Sequence, residues 1–322
     1  MKKPSLYSLM AILILATVLS GCGIGGHGPT GYTPGQSSIC TVGSVSFNIH
    51  YVPAAASFPT GTDDLGTGSV SNAYWMAETE VTYELWVAVY DWATDAARGA
   101  NQYHFQNIGE MGDGGLMGGT GYTNQHPVTN VSWRDAIVWC NALTEYYNAQ
   151  NGTSLAYVYT YSSAIVRDSS DANATACDGV TDNAAAKGFR LPTSMEWELA
   201  ARYRGSDSTN AILSNGIYWT KGNSASGATA DCFDNAATGA VAWWAVNSGS
   251  STHPVKGKTP NTLGLYDMSG NVWELCFDIF SSLDRVSRGQ SWMNGNLQVG
   301  ATDSDTPGYT HGAQGFRPVR TE

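Results

Sequence analysis

Cysteine is the most reactive residue type in this chain, and its positions limit the chemistry on offer. A thiolate can act as a nucleophile or as a soft metal ligand. None of the cysteines after position 22 forms a CxxC pair, and their odd number leaves at least one without an intramolecular partner. We predict structural roles for them and leave their pairing open. The residues are Cys40, Cys140, Cys177, Cys232 and Cys276.

The histidines and carboxylates do not supply a catalytic set either. No HxxxE helix is present to build the ligand set of a non-haem iron enzyme. Glu196 and Glu198 are paired carboxylates, but positions i and i+2 of a helix point to different faces. The sequence also lacks a phosphate loop, a GxSxG elbow and an HExxH helix. The histidines are scattered, at His27, His50, His104, His126, His253 and His311.

The composition indicates a loop-rich globular protein. Only 13% of the 322 residues are charged, 11% are aromatic, and 37 are glycines. Seventeen tyrosines and eleven tryptophans supply enough apolar surface to exclude a disordered chain. The formal net charge of −11 leaves no basic surface for nucleic acid, so we expect no nucleic-acid partner.

The N-terminus predicts export and a lipid anchor. Two lysines precede an apolar run, Leu9–Leu19, which is typical of a signal peptide and too short to span a bilayer comfortably. The ending LSGC resembles a bacterial lipobox, in which Cys22 is lipidated, and the alternative is an ordinary cleaved signal. We predict an exported lipoprotein that contacts the membrane through the lipid on Cys22. Gly23 is not an inner-membrane retention aspartate, and we expect display at the outer membrane or cell surface.

The chain is expected to fold as one domain. Residues 1–21 form the signal peptide, the Gly/Pro/Ser-rich residues 22–42 a flexible tether, and residues 43–322 the folded domain. Strands are predicted at 44–52 and 74–81, and helices after the N-cap Thr82, near Ser132 and after Thr193, which has capping-box spacing to Glu196. Residues 151–186 are expected to contain a hairpin and a surface insertion, and residues 205–260 long loops. Further short strands are predicted around 265–268, 272–275, 285–288 and 316–319.

Five sequence blocks together resemble the formylglycine-generating-enzyme family of sulfatase-modifying proteins. The resemblance covers most of residues 45–320 and implies an α+β, C-type-lectin-like fold with few helices and short antiparallel strands. In such a fold, charged side chains would hold loops to helices, and we expect this role for Glu80, Arg190, Glu196, Glu198 and Glu274. The blocks are ETEVTYELWVAV, HPVTNVSWRDAIVWCNAL, GFRLPTSMEWELAAR, LGLYDMSGNVWEL and RVSRGQSW…GFRPVR.

The resemblance also shows where catalysis would lie. Catalytic members use two C-terminal cysteines that bind copper, and here those positions hold Asn294 and Val299. The resemblance therefore implies a non-catalytic branch with no cofactor for activity. Some members bind calcium, and a structural calcium ion at Asn271 and Asp267 is weighed against an ordinary turn.

Residues 292–314 lie between the motifs RGQSW and GFRPVR and resemble the variable segment of diversity-generating-retroelement proteins. In that class a reverse transcriptase rewrites codons near the 3′ end of the gene at template adenines. Only Trp292, Met293, Gln298 and Gln314 cannot arise from rewritten AAC or AAT codons. Leu297 and Val299 are predicted core strand positions. The predicted ligand-binding residues are Trp292, Met293, Asn294, Ala301, Asp303, Ser304, Asp305, Tyr309, His311 and Ala313.

These observations predict a surface-displayed, non-catalytic binding protein for an unknown protein or glycan ligand. An exported oxidase of the formylglycine-generating type is one alternative, and a fixed-specificity adhesin or lectin is another. A solvated segment without function is the third.

Overall fold

The computed structural model describes residues 31–183 and 185–322. The predicted signal peptide, Cys22 and the first part of the tether lie outside these residues. Within the described ranges, none of the helices combines the length and apolarity that crossing a membrane would require.

The three longest α-helices of the described residues begin where the sequence predicts them. Thr82 accepts the N–H of Leu85, while Ser132 and Thr193 form capping boxes with Asp135 and Glu196. Two 3-10 helices add short turns, at Ala96–Asn101 and Asp171–Asn173. The α-helices of the described residues are α1 (Tyr83–Thr94), α2 (Trp133–Asn151), α3 (Ala174–Asp178), α4 (Ser194–Arg202) and α5 (Asn235–Val241).

The strands are short and almost all antiparallel, as predicted. The largest sheet runs in the order β1 (Ser37–Val42), β2 (Val45–Val52), β5 (Tyr74–Ala77), β19 (Val319–Thr321) and β11 (Phe189–Arg190). A second sheet runs in the order β17 (Thr302–Asp305), β16 (Asp284–Arg288), β15 (Trp273–Ser281) and β18 (Gln314–Gly315). In this second sheet β15 and β18 are parallel.

The remaining strands of the described residues form two three-stranded and two two-stranded sheets. The smaller sheets are β10 (Thr181–Asp182), β8 (Tyr159–Tyr161) and β9 (Ala164–Ile165); β12 (Tyr203–Gly205), β14 (Ile217–Thr220) and β13 (Ala211–Ser214); β3 (Ala55–Thr60) and β4 (Gly66–Val70); and β6 (Glu110–Met111) and β7 (Val128–Thr129). The hairpin predicted within 151–186 is formed by β8 and β9.

The folded domain begins before residue 43, so the predicted boundary of the tether is wrong. Strand β1 pairs with β2 along its whole length, and Cys40 and Val42 enter the core. Gly43 has φ 58°, which lets a two-residue turn join the strands. Tyr32 already packs edge-on against Trp75, with ring centroids 5.0 Å apart.

Three further local predictions differ from the structure. Residues 205–260 contain the β13–β14 hairpin and α5 rather than loops alone, and Asn215 and Gly216 form the hairpin turn with φ of 52° and 78°. Residues 265–268 form no strand, because Asp267 itself adopts a positive φ of 56°. Leu297 and Val299 are buried as predicted, but the backbone there turns instead of pairing as a strand.

Tryptophans dominate the core. Trp86 on α1 stacks on Trp139 of α2, with ring centroids 5.9 Å apart and an interplanar angle of 5°. Trp197 of α4 lies in a second cluster that also contains Val299. Leu297 belongs to a third, smaller cluster with Trp244. Leu297 and Val299 of the 292–314 segment are therefore core residues.

Candidate functional site

Arg288 anchors the beginning of the 292–314 segment to helix α4. Its guanidinium donates to Glu198 Oε2 at 2.8 Å and to Ser194 Oγ at 2.8 and 2.9 Å. It also donates to the carbonyl oxygens of Gly300 and Ala301 at 3.3 Å. One buried cation therefore holds the chain on both sides of residues 289–299.

Arg317 anchors the end of the segment. It donates to both carboxylate oxygens of Glu274 at 2.6 Å, and Trp197 Nε1 donates to the same carboxylate at 2.7 Å. The Arg317 side chain is fully buried and also reaches the carbonyl oxygen of Tyr266 at 2.9 Å. Such a bidentate pair fixes position as well as charge.

Four of the five charged residues expected to hold loops to helices form such contacts. Arg190 pairs with Glu196 at 2.7 Å, and Glu198 and Glu274 hold the two arginines described above. The prediction for Glu80 is wrong, because within the described part of the chain neither of its buried carboxylate oxygens has a hydrogen-bond partner.

Asn294 and Val299, the two positions at which the family resemblance would place catalytic cysteines, have scaffold roles in this structure. Asn294 Oδ1 accepts the N–H of Ser291 at 2.8 Å and its hydroxyl at 3.0 Å, which closes a turn. Val299 is fully buried. Neither side chain can form the thiolate that binds copper.

The remaining thiols do not replace those cysteines. Cys40, Cys140, Cys177, Cys232 and Cys276 are all buried and all free, which answers the pairing question left open by the sequence. Burial raises the pKa of every one of them, to about 11 for Cys40 and about 12 for Cys177. These thiols therefore stay protonated and unreactive near neutral pH.

The predicted ligand-binding residues divide into buried, half-buried and exposed groups. Trp292 and Ala313 are buried, so these two predictions are wrong: their side chains pack inward and cannot meet a ligand. Met293, Asp303 and Tyr309 are exposed. The half-buried residues are Asn294, Ala301, Ser304, Asp305 and His311.

Five of these residues form an acidic and aromatic surface at one edge of the second sheet. Asp303, Ser304 and Asp305 lie on the edge strand β17, and the Tyr309 and His311 rings stack with centroids 6.1 Å apart. Burial and the negative charge of Asp303 raise the pKa of Asp305, while His311 opposes the shift. Burial and the charge of Asp305 also raise the pKa of Tyr309.

Two glycines inside the segment are fixed by packing. A Cβ on Gly300 would overlap the backbone of Gly61, and a Cβ on Gly312 would overlap the carbonyl oxygen of Asp113. Any other residue at either position forces the backbone to move. These positions therefore belong to the scaffold, although no local sequence pattern distinguishes them from their neighbours.

Two loops outside the segment adjoin this surface, and the sequence analysis missed both. Loop 110–122 packs its Asp113 and Leu116 against Gly312. In loop 245–252, Ala245 donates its N–H to Asn294 O at 3.2 Å, and Ser248 Oγ donates to Trp292 O at 3.1 Å. The adjacent leucine and methionine in the glycine-rich stretch GGLMGGTG were the one available signal, since isolated apolar pairs are unusual in such a loop.

The predicted calcium ligands have different surroundings. Asn271 accepts the N–H of His253 at 2.9 Å and donates to its carbonyl oxygen at 3.2 Å, so its amide holds a loop. Asp267 Oδ2 accepts the N–H of Lys256 at 2.9 Å, and among the described residues nothing hydrogen-bonds Oδ1. The donor set therefore offers a hard cation one unpartnered carboxylate oxygen, and calcium binding here stays a prediction.

The sequence and the fold are similar to those of known proteins. Residues 57–322 match the family model of the sulfatase-modifying factor enzyme 1-like domain. Treponema denticola variable protein 1 superposes with a TM-score of 0.64 at 32% identity, covering 89% of this chain and 99% of that one. The motif layout and the α+β fold prediction are thereby confirmed.

Two relatives are similar over shorter regions. Chaperone protein LppX from Paenibacillus barcinonensis is 31% identical over 225 residues, which is 62% of this chain and 71% of that protein. A formylglycine-generating enzyme from Streptomyces coelicolor is 34% identical over 159 residues, 40% of this chain and 46% of the enzyme. The chain thus belongs to the family of the sulfatase-modifying factor enzyme 1-like domain and has the C-type-lectin-like fold of formylglycine-generating enzymes.

Proposed function

We propose that this protein is a non-catalytic, lipid-anchored binding protein whose exposed C-terminal positions are diversified. The observation that carries the proposal is the division of residues 292–314 into two classes. Buried positions such as Trp292, Leu297 and Val299 maintain the fold, whereas Asp303 and Tyr309 are exposed. Side chains of the second class can change without unfolding the scaffold, as binding loops do on other rigid folds.

Lack of oxidase activity follows from Asn294 and Val299. Purified protein incubated with copper and a sulfatase-motif peptide should form no formylglycine, as measured by mass spectrometry of the peptide. The Streptomyces coelicolor enzyme serves as the positive control. Turnover by this protein would disprove its non-catalytic role.

Diversification is tested by deep sequencing the 3′ end of the gene and its flanking DNA in a population of source cells. Variation should match adenines in a nearby template copy and fall on the codons of exposed and half-buried residues. The codons of Gly300, Gly312 and the buried residues should stay constant, and so should that of Met293. An invariant stretch without a template would instead indicate one dedicated partner. The codons expected to vary include those of Asp303, Ser304, Asp305, Tyr309 and His311.

The lipid anchor and surface display form part of the same proposal. Metabolic labelling with a fatty acid should mark the wild-type protein and leave a Cys22→Ser variant unlabelled. Protease added to intact cells should degrade the wild-type protein if it is displayed at the cell surface. Labelling of the serine variant would contradict anchoring at Cys22.

A second candidate function is binding to one exported protein as its chaperone. The observation that favours it is the similarity to a protein named as a chaperone over 62% of this chain. The sequencing experiment separates the two, because a chaperone with one client needs no variation in residues 292–314.

A further inference from the structure

Several exposed apolar side chains lie on the 292–314 segment and on two loops that adjoin it. Leu116 and Met117 in loop 110–122 are 44% and 62% exposed, and Val246 in loop 245–252 is 58% exposed. Met293 and Tyr309 in the segment itself are 46% and 40% exposed. Single exposed apolar residues are ordinary, but a group on neighbouring loops marks an interaction surface.

Direct contacts join the three loops into one face. Loop 110–122 touches the segment where Leu116 and Asp113 pack on Gly312. The same loop reaches loop 245–252, because Gly119 packs beside Ser251 Oγ. The hydrogen bond from the Ala245 N–H to the Asn294 carbonyl oxygen joins loop 245–252 to the segment. Val246 and Met293 are the sequence neighbours of these two residues. We call this surface, made of residues 110–122, 245–252 and 292–314, the composite face.

The charged side chains that the composite face presents are acidic. They are Glu110, which is exposed, Asp303, which is exposed, and Asp305, which is half-buried, whereas Asp113 is fully buried. The three stretches contain no lysine or arginine. Glu110 lies beside Gly114, and Asp284 adds its charge next to Asp305. A partner gains from placing cations here, since complementary charge steers association and suppresses wrong partners.

We infer that the composite face binds a protein whose contact surface combines an apolar side chain with lysine or arginine. This inference rests on the proposed binding function and adds to it a set of contact residues that lie outside the diversified segment and do not vary. Leu116, Met117 and Val246 supply apolar anchors whatever the segment's sequence, while the residues of β17 and its following turn adjust specificity. The apolar half favours a protein over a glycan, because sugar hydroxyls need hydrogen-bond partners that Leu, Met and Val lack.

The test uses a random peptide library displayed on phage and selected on the full-length purified protein. We expect the enriched peptides to carry net positive charge and an aromatic or large aliphatic residue. Binding should weaken at least tenfold in a Leu116→Ser/Met117→Ser variant and in Val246→Ser. A Leu213→Ser variant, equally exposed at 58% but on the β13–β14 hairpin, should bind within twofold of wild type. Circular dichroism and thermal melting confirm that each variant is folded.

A second variant separates this inference from the proposed function. Tyr309→Ala/Asp305→Asn changes only the segment. If the peptides lose affinity for this variant but not for the Leu116→Ser/Met117→Ser variant, the segment binds alone and the composite face is wrong. If both variants lose affinity, the inference stands; if neither does, both proposals fail. Enrichment of acidic peptides, or no enrichment over the Leu116→Ser/Met117→Ser variant, would also overturn it.

Discussion

Glu80 and Asp267 are buried carboxyl groups close enough to influence each other. Each exposes about 2% of its surface or less, and burial is the main cause that raises the pKa of both. The pKa of Asp267 rises to about 6, opposed by the N–H of Lys256 and the charge of Arg317. The charge of Asp267 in turn raises the pKa of Glu80. Both carboxyl groups therefore keep their protons to a higher pH in the folded protein than in the unfolded chain.

These pKa shifts predict that stability falls as pH rises. The contribution of Asp267 is complete below its unfolded pKa of 3.8 and is lost as pH rises through about 6. The change amounts to about 3 kcal/mol. In Asp267→Asn this part of the pH dependence should disappear, so the variant should gain stability relative to wild type between pH 4 and pH 7, as urea unfolding in chelator would show.

Bound calcium would act against the stability advantage that we predict for Asp267→Asn over the wild type. If the ion binds Asp267, adding calcium at pH 7 should stabilise the wild type and leave Asp267→Asn unchanged. A variant that is less stable than wild type at pH 7 even in chelator would contradict the pKa argument itself. Glu80→Gln is the matched second variant, and it should gain stability in the same direction.

At the scale of elements, the 292–314 segment should tolerate change at its exposed positions. Replacing Asp303, Ser304 and Tyr309 together by alanine should alter the free energy of unfolding by less than about 1 kcal/mol, because surface substitutions usually cost little. Gly300→Ala and Gly312→Ala should each cost more than about 2 kcal/mol through backbone overlap. Denaturant titration measures both. A strongly destabilised triple variant would mean that the segment is part of the folding core.

The predictable elements are those whose signals are local. Thr82, Ser132 and Thr193 cap their helices through residues three positions away, so the sequence alone reveals them. The Asn215-Gly216 dipeptide is an equally local signal for its hairpin turn. Burial of Trp292 and the packing of Gly312 on Asp113 depend on residues far apart in the chain, which no periodicity reveals. For the same reason the neighbouring loops of the site could not be predicted.

For the molecule as a whole, we predict stability that does not depend on redox conditions. The five thiols within the described ranges are buried and unpaired with one another. A Cys22→Ser preparation should show no rapid reaction with a thiol reagent when native and should react at all five after denaturation. Its thermal midpoint should not move when reductant is added. A shifted midpoint would indicate a disulfide.

Strand β19 consists of Val319–Thr321 and lies between β5 and β11 in the largest sheet. Residues 319–321 thus join β1, β2 and β5 to β11. A polypeptide truncated anywhere in residues 292–314 lacks this strand and Arg317, leaving Glu274 buried without its cation. Sequence changes within residues 292–314 are therefore compatible with this fold only when the reading frame that encodes Arg317 and β19 is kept.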